Sequence, residues 1–186
     1  RPLTTRDAYL VKSLNIKTDR KNDGISFTDI SALTWFVNLE ELEFAPNTIR
    51  DLTPLAKLTK LQRLNLCFQE ISDLSPLANL TELYSLQLRG NQITDISALA
   101  GLTKMTFLDV ANNTITDFSA VQNMSKLQAL YLDAAQGLDY ASIAPILPRL
   151  HTLNDIELGD PELLQPLGMK DPNLEAALRS ALGVPK

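Results

Sequence analysis

Apolar residues return along the middle of the chain every 22 positions. Four segments align without a gap: NLEELEFAPNTIRDLTPLAKLT from Asn38, KLQRLNLCFQEISDLSPLANLT from Lys60, ELYSLQLRGNQITDISALAGLT from Glu82 and KMTFLDVANNTITDFSAVQNMS from Lys104. One column reads Leu39, Leu61, Leu83, Met105, the next Leu42, Leu64, Leu86, Leu108, and a third Phe44, Leu66, Leu88, Val110. Further along each unit come Ile49, Ile71, Ile93, Ile115, then Leu52, Leu74, Ile96, Phe118, then Leu55, Leu77, Leu99, Val121. The last two apolar positions of each LxxLxL are two apart and therefore share one face of a short strand. The later columns belong to a return path that brings the chain back beside its start. One unit cannot bury this apolar side alone, whereas stacked units share a continuous core. The pattern predicts a solenoid with parallel strands about 4.8 Å apart. The returns, such as DLSPLANLT in the second unit, are short and Pro-containing, which predicts 3-10 turns or short helices in preference to long ones.

Two polar columns run in the same register. Asn47, Asn91 and Asn113, with Gln69 in the second unit, follow the strand. At a tight bend an inward amide satisfies backbone groups that the turn leaves unpaired, and repetition makes a ladder of them. Each such bond contributes about 1 kcal/mol net, and more is lost when a buried partner is left bare. Asp51, Asp73, Asp95 and Asp117 form the second column. A row of carboxylates suggests calcium, but an ion site needs several oxygens converging on one point. These Asp residues are read as turn and cap groups, and no metal is expected.

With these columns in place, the pattern LxxLxLxxNxIxDxxxLxxLxx resembles the internalin-type leucine-rich repeats of Gram-positive bacterial surface proteins. Towards the N-terminus, DGISFTDISALTWFVNL repeats the second half of a unit, with Ile30, Leu33 and Phe36 in register. SLNIK before it reads as a first strand, separated by an insertion around Thr18–Asp23. Towards the C-terminus, KLQALYLDAAQGLDYASIAPILPRL keeps Leu127, Leu130 and Leu132, loses the Asn column to Ala135 and slips register by one at Gln136–Leu138. RLHTLNDIEL supplies a last, poorly matched strand. The resemblance implies an α/β solenoid, a right-handed leucine-rich-repeat horseshoe. Short parallel strands would line its concave face, 3-10 or short turns its convex face, and cap-like helices its termini. The chain then divides into an N-terminal cap remnant with a degenerate first repeat (1–37), four regular repeats (38–125), degenerate C-terminal repeats (126–168) and a terminal helix (169–186).

That last segment, KDPNLEAALRSALGVPK, resembles the beginning of such an array, not its end. Asp171 suits an N-cap, Pro172 the first helical position, and Gly183 a stop. Leu174, Leu178 and Leu182, with Ala177 and Ala181, make an apolar stripe at helical spacing. In families of this kind a DPNLEAAI-type helix leads through a Pro-containing link and a second helix to the first strand, and RPLTTRDAYLVKSLNIK at residues 1–17 looks like that continuation. Three arrangements fit: a piece of a tandem protein, a permuted or designed repeat, or a C-terminal helix that docks on the open N-terminal end of the next molecule. The last makes head-to-tail rings or filaments.

Composition narrows the chemistry. The chain has 186 residues, 45% hydrophobic but only 6% aromatic, so Leu, Ile and Ala fill one core. Seventeen basic against 22 acidic residues give −5, and no block of Lys or Arg provides an electrostatic footprint for nucleic acid. No apolar run approaches the roughly 20 residues of a membrane span, and RPLTTRDAYL does not read as a signal peptide. The single cysteine, Cys67, excludes an internal disulfide framework and is read as a free, inert thiol. The one histidine, His151, lies in the irregular C-terminal part with no nucleophile signature beside it, and no P-loop, GxGxxG or HExxH is present. Glu40 and Glu41 are adjacent carboxylates on an open surface without the closed pocket that acid–base chemistry needs. The expectation is a chain that is not an enzyme and takes no cofactor.

Function must then lie on a surface. Residues between the apolar columns of each strand point outward. They read Glu41, Arg63, Ser85, Phe107, Ala129, then Glu43, Asn65, Gln87, Asp109, Tyr131, then Ala45, Cys67, Arg89, Ala111, Asp133, with Tyr84 flanking. Aromatics and Arg on a rigid exposed sheet are the residue types that dominate binding energy. The candidate partner-binding set is Glu41, Glu43, Arg63, Asn65, Tyr84, Gln87, Arg89, Phe107, Asp109, Tyr131 and Asp133. Six such strands would offer only about 250 Å², against about 800 Å² per partner in a standard interface. Flanking loops, further repeats or several copies would have to supply the rest. The resemblance implies a bacterial cell-surface or secreted adhesion module that binds a protein ligand. The alternative is a structural spacer that assembles head to tail.

Overall fold

The computed structural model describes residues 4–16, 28–132, 140–153 and 156–157. Helix α1 (Thr5–Leu10) is closed by a capping box, in which the Thr4 hydroxyl accepts from the Asp7 amide and the Asp7 carboxylate accepts from the Thr4 amide. Among the described residues eight strands follow: β1 (Ser13–Ile16), β2 (Glu41–Phe44), β3 (Arg63–Asn65), β4 (Ser85–Gln87), β5 (Phe107–Asp109), β6 (Ala129–Tyr131), β7 (Thr152–Leu153) and β8 (Ile156–Glu157). They form one sheet in chain order, each beside the next. Strands β1 to β7 are parallel, and β8 turns back antiparallel on β7.

Register follows the repeat. Leu42, Leu64, Leu86, Leu108 and Leu130 pair across neighbouring strands and are at most 2% exposed. The return columns Ile49, Ile71, Ile93 and Ile115, and Leu55, Leu77, Leu99 and Val121, are buried in the same continuous core. Each return is a single 3-10 turn: Ser31–Trp35, Thr53–Leu55, Ser75–Leu77, Ser97–Leu99 and Ser119–Asn123. Pro54 and Pro76 stand in the first turn of theirs, where a fixed φ is no burden and no amide is needed.

Both polar columns are structural. Asn91 accepts from the Ile71 amide of the preceding unit at 3.0 Å and donates to the Leu66 and Leu88 carbonyls at 2.9 and 2.8 Å. Asn113 repeats this one unit on, with the Ile93 amide and the Leu88 and Val110 carbonyls. Gln69 reaches the Ile49 amide and the Ala45 carbonyl despite its extra methylene. Asn47 differs, its carbonyl oxygen accepting from the next amide, Thr48. Asp51, Asp73, Asp95 and Asp117 each accept from the amide two residues ahead, at 2.7–2.8 Å, and thereby start the 3-10 turn. Asp29 does the same for Ser31, extending the column one unit upstream.

The ends depart from the repeat. Ser13 and Glu41, in register, are 28 residues apart, against 22 within the array, which matches the expected insertion. The step from Ala129 to Thr152 is one residue longer than a repeat, as the expected slip requires. Its return is a short helix, α2 (Tyr140–Ile143), running into a 3-10 segment Ala144–Arg149. The antiparallel β8 is a finding without a counterpart in the repeat pattern. The segments around Thr18–Asp23 and Gln136–Leu138, and the helix expected at 171–183, lie outside the described residues.

Candidate functional site: the outward face of the sheet

Alternation along each short strand turns one side chain in two away from the core. On β2, Glu41 and Glu43 point outward, and β1 adds Ser13 and Asn15 beside them. The Ser13 hydroxyl donates to Glu41 at 3.2 Å, and the Asn15 amide donates to Glu43. Arg63 on β3 reaches Glu41 at 3.4 Å. Asn65 turns back to accept from the Cys67 amide at 3.0 Å, which holds the chain as it leaves the strand. These residues, with Ser85 and Gln87 of β4, line a shallow polar groove of about 430 Å³.

The second half of the face is different. Phe107 and Tyr131, on adjacent strands, lie with ring centroids 5.4 Å apart and planes inclined at 38°, and both are half-buried. Tilted pairs at such distances contribute about 0.5–1.5 kcal/mol beyond the area they bury. Tyr84 stands one residue before β4 and is exposed; its backbone carbonyl receives the Phe107 amide at 3.0 Å. It therefore flanks the aromatic pair at the N-terminal edge of the strands. His151 stands in the same flanking row further along, its amide bonded to the Gln128 carbonyl, and is exposed.

Asp109 departs from the expectation of an accessible outward residue. It is 7% exposed, paired in register with Gln87 and Tyr131, and ion-paired with Arg89 at 2.9 Å. Its other oxygen accepts from the Ala111 amide at 3.1 Å. Asp109 thus holds Arg89 and the strand exit in place, and Arg89 is the more exposed member of the pair. Asp133 lies outside the described residues.

Cys67 sits between the two halves, half-buried. Burial pushes its thiol pKa up, and the nearby Asp109 and Glu43 add to that, while the Arg89 amide and charge oppose it. The thiol is therefore protonated at neutral pH and a poor nucleophile.

One residue of this surface is absent from the sequence-derived set. Phe68, just past β3, is 50% exposed and has a left-handed backbone, φ 57°. Its equivalents are Pro46, Gly90 and Asn112, and Gly90 and Asn112 share the positive φ at 71° and 56°. A column holding Gly and Asn signals that backbone, and a Phe in it is the anomaly that could have been noticed.

Comparison with known proteins places this chain in a family. A family model described as leucine-rich repeats (two copies) matches residues 37–79, 59–101 and 79–123. The crystal structure of an internalin (InlF) from Listeria monocytogenes is 35% identical with a TM-score of 0.71, over 90% of this chain and 49% of the other. That of internalin C2 from the same organism is 31% identical with a TM-score of 0.62, over 89% of this chain and 80% of the other. The chain belongs to the internalin-like leucine-rich-repeat family. This internalin-like chain spans about half the length of the InlF structure. A leucine-rich-repeat protein of Leptospira interrogans, 23% identical over 80% of this chain and 38% of its own, shares the fold at a TM-score of 0.66. No curated protein sequence matches. Internalin-like repeats are in general protein-interaction modules and typically not enzymes. Among the described residues no helix is long and apolar enough to cross a membrane.

Proposed function

We propose that this internalin-like chain is an adhesion or ligand-binding domain, carried at the surface of a bacterium or secreted, that grips a protein partner with the concave sheet and performs no catalysis. The observation that carries the reading is the aromatic pair Phe107–Tyr131, held outward on two adjacent rigid strands. With Tyr84 beside it and Arg89 braced by Asp109, it forms the energetic centre of the contact. Glu41, Glu43, Arg63, Asn65 and Gln87 form the polar remainder. Truncating ring anchors at an interface centre typically removes 2 kcal/mol or more, roughly thirtyfold in affinity. Labelled protein added to cultured host cells should bind saturably, and the Phe107→Ala/Tyr131→Ala variant should lose that binding with its thermal midpoint nearly unchanged. Undiminished binding by the folded double variant would sink the reading.

The N-terminal end favours a second reading. Tyr9, Leu10, Trp35 and Val37 are exposed there, and Leu14 and Ile16 of β1 are only partly buried, where their counterparts Leu42 and Phe44 are 2% exposed. A solenoid end with its apolar layer open suits a second copy stacked head to tail. Light scattering during size-exclusion chromatography should then show concentration-dependent oligomers that Leu10→Ser/Trp35→Ser abolishes. A monomer at high concentration removes this reading and leaves the first untouched.

A further inference from the structure

The rim of the sheet at the C-terminal ends of β2 and β3 carries chemistry that the aromatic centre does not use. A bulky L-residue with φ near +57° is a backbone outlier, disfavoured by roughly 1–2 kcal/mol, yet Phe68 adopts it with half its surface in solvent. Its ring rests on Gly90: a Cβ placed on that glycine would lie 2.5 Å from Phe68 Cδ1 and 2.8 Å from Cε1. The missing side chain at Gly90 is therefore the seat of the ring. Packed against the backbone of the next repeat, Phe68 still leaves half of its surface in solvent.

The same rim groove, about 530 Å³, has Glu43, Ala45, Pro46 and Phe68 among its walls, together with Arg89 and Asp109, which pair with each other. The charges in and around it are unevenly matched. Arg63 answers Glu41, Lys12 answers Glu40 and Arg89 answers Asp109. Glu43 is exposed and receives only the neutral Asn15 amide, so among the described residues no cation pairs with it. An aromatic face and an uncompensated carboxylate in one groove, joined by the small apolar surfaces of Ala45 and Pro46, are complementary to a long alkyl stem that ends in a positive charge.

We propose that this rim receives a lysine or arginine side chain of the partner protein, its stem along Phe68 and Pro46 and its charged head on Glu43. The inference rests on the concave-face reading and deepens it by naming the chemistry of one contact. The strained backbone of Phe68 then has a purpose, since it holds the ring face open to the groove in advance of binding.

The probe is N-acetyl-arginine amide, titrated into the ¹⁵N-labelled chain, with N-acetyl-citrulline amide as its neutral twin. Arginine should shift the Phe68 and Gly90 amide signals saturably in the millimolar range, and citrulline should not. Glu43→Gln and Phe68→Leu should each weaken the response roughly threefold, the size of one exposed ion pair or cation–π contact. Equal shifts from the two probes, or an unchanged response in both variants, would overturn the proposal. Loss of cell binding in Phe107→Ala/Tyr131→Ala without any arginine response at the rim removes this inference and leaves the concave-face reading standing. An arginine response with intact cell binding in that double variant does the reverse.

Discussion

At the scale of single residues, the Phe68–Gly90 contact makes the sharpest stability forecast. Gly90→Ala adds a Cβ where φ is +71° and where the Phe68 ring already lies. It should destabilise by about 1–3 kcal/mol in urea unfolding. Phe68→Asn should by contrast be nearly neutral, within about 0.5 kcal/mol, because relieved backbone strain of ~1–2 kcal/mol offsets a half-buried ring worth ~1 kcal/mol. In the Phe68→Asn background part of the Gly90→Ala loss should vanish; strict additivity would show that the ring and the glycine are not coupled. Asn91→Ala strips one amide and two carbonyls of their partner at once and should cost about 2–3 kcal/mol. The Asn column was legible in the sequence because its residues share a chemistry. The Phe68 column carried a fainter signal, its Gly and Asn, because Pro46, Phe68, Gly90 and Asn112 share no chemistry and only the backbone links three of them. Alternation gave the direction of Asp109 correctly but not its burial beside Arg89, which pairs with it from just past the neighbouring strand.

At the scale of elements, the 3-10 returns depend on carboxylates. In Asp29 and Asp95 the backbone hydrogen bond from Ser31 or Ser97 is the main cause of a lowered pKa; in Asp51 the Thr53 side chain is, followed by its amide. These carboxylates stay ionised in the folded chain after their unfolded counterparts have protonated. The stabilisation is therefore complete above the unfolded value of about 4 and fades as pH falls through the lower folded values. Stability measured by urea midpoint should drop as pH falls below about 4, and the Asp29→Asn/Asp51→Asn/Asp95→Asn variant should show a shallower drop. An identical acid slope in that variant would remove these turns from the account. The regular strands and returns could be read from a 22-residue period because burial repeats with it. Strand β8 could not, since Ile156 and Glu157 are two residues with no counterpart column and their antiparallel pairing depends on a local reversal after Leu153.

For the whole molecule, each repeat touches mainly its neighbours, and the core is one column of layers. Leu64, Leu86 and Leu108 occupy equivalent sites, each at most 1% exposed. Leu86→Ala, in the middle layer, should cost about 2–5 kcal/mol by thermal or urea unfolding, with Leu64→Ala and Leu108→Ala close to it. A loss below 1 kcal/mol at any of the three would mean that its layer is not packed as described. The horseshoe and its outward face were visible in the residues because both follow from stacking. The partner was not, because a face of this kind is specified by side chains that the stacking leaves free to vary.

The uniform ladder register makes the array divisible. Excising Glu82–Thr103 would join Thr81 to Lys104 with every layer still in phase, shortening the sheet by one strand. The Ile71 amide would then find the side-chain oxygen of Asn113 where it now finds that of Asn91. Hydrophobic spine, amide rungs and turn carboxylates would all close over the cut. Asp109 would lose Arg89, and Phe68 would be stranded, because the residue brought beneath it, Asn112, carries the side chain that Gly90 lacks.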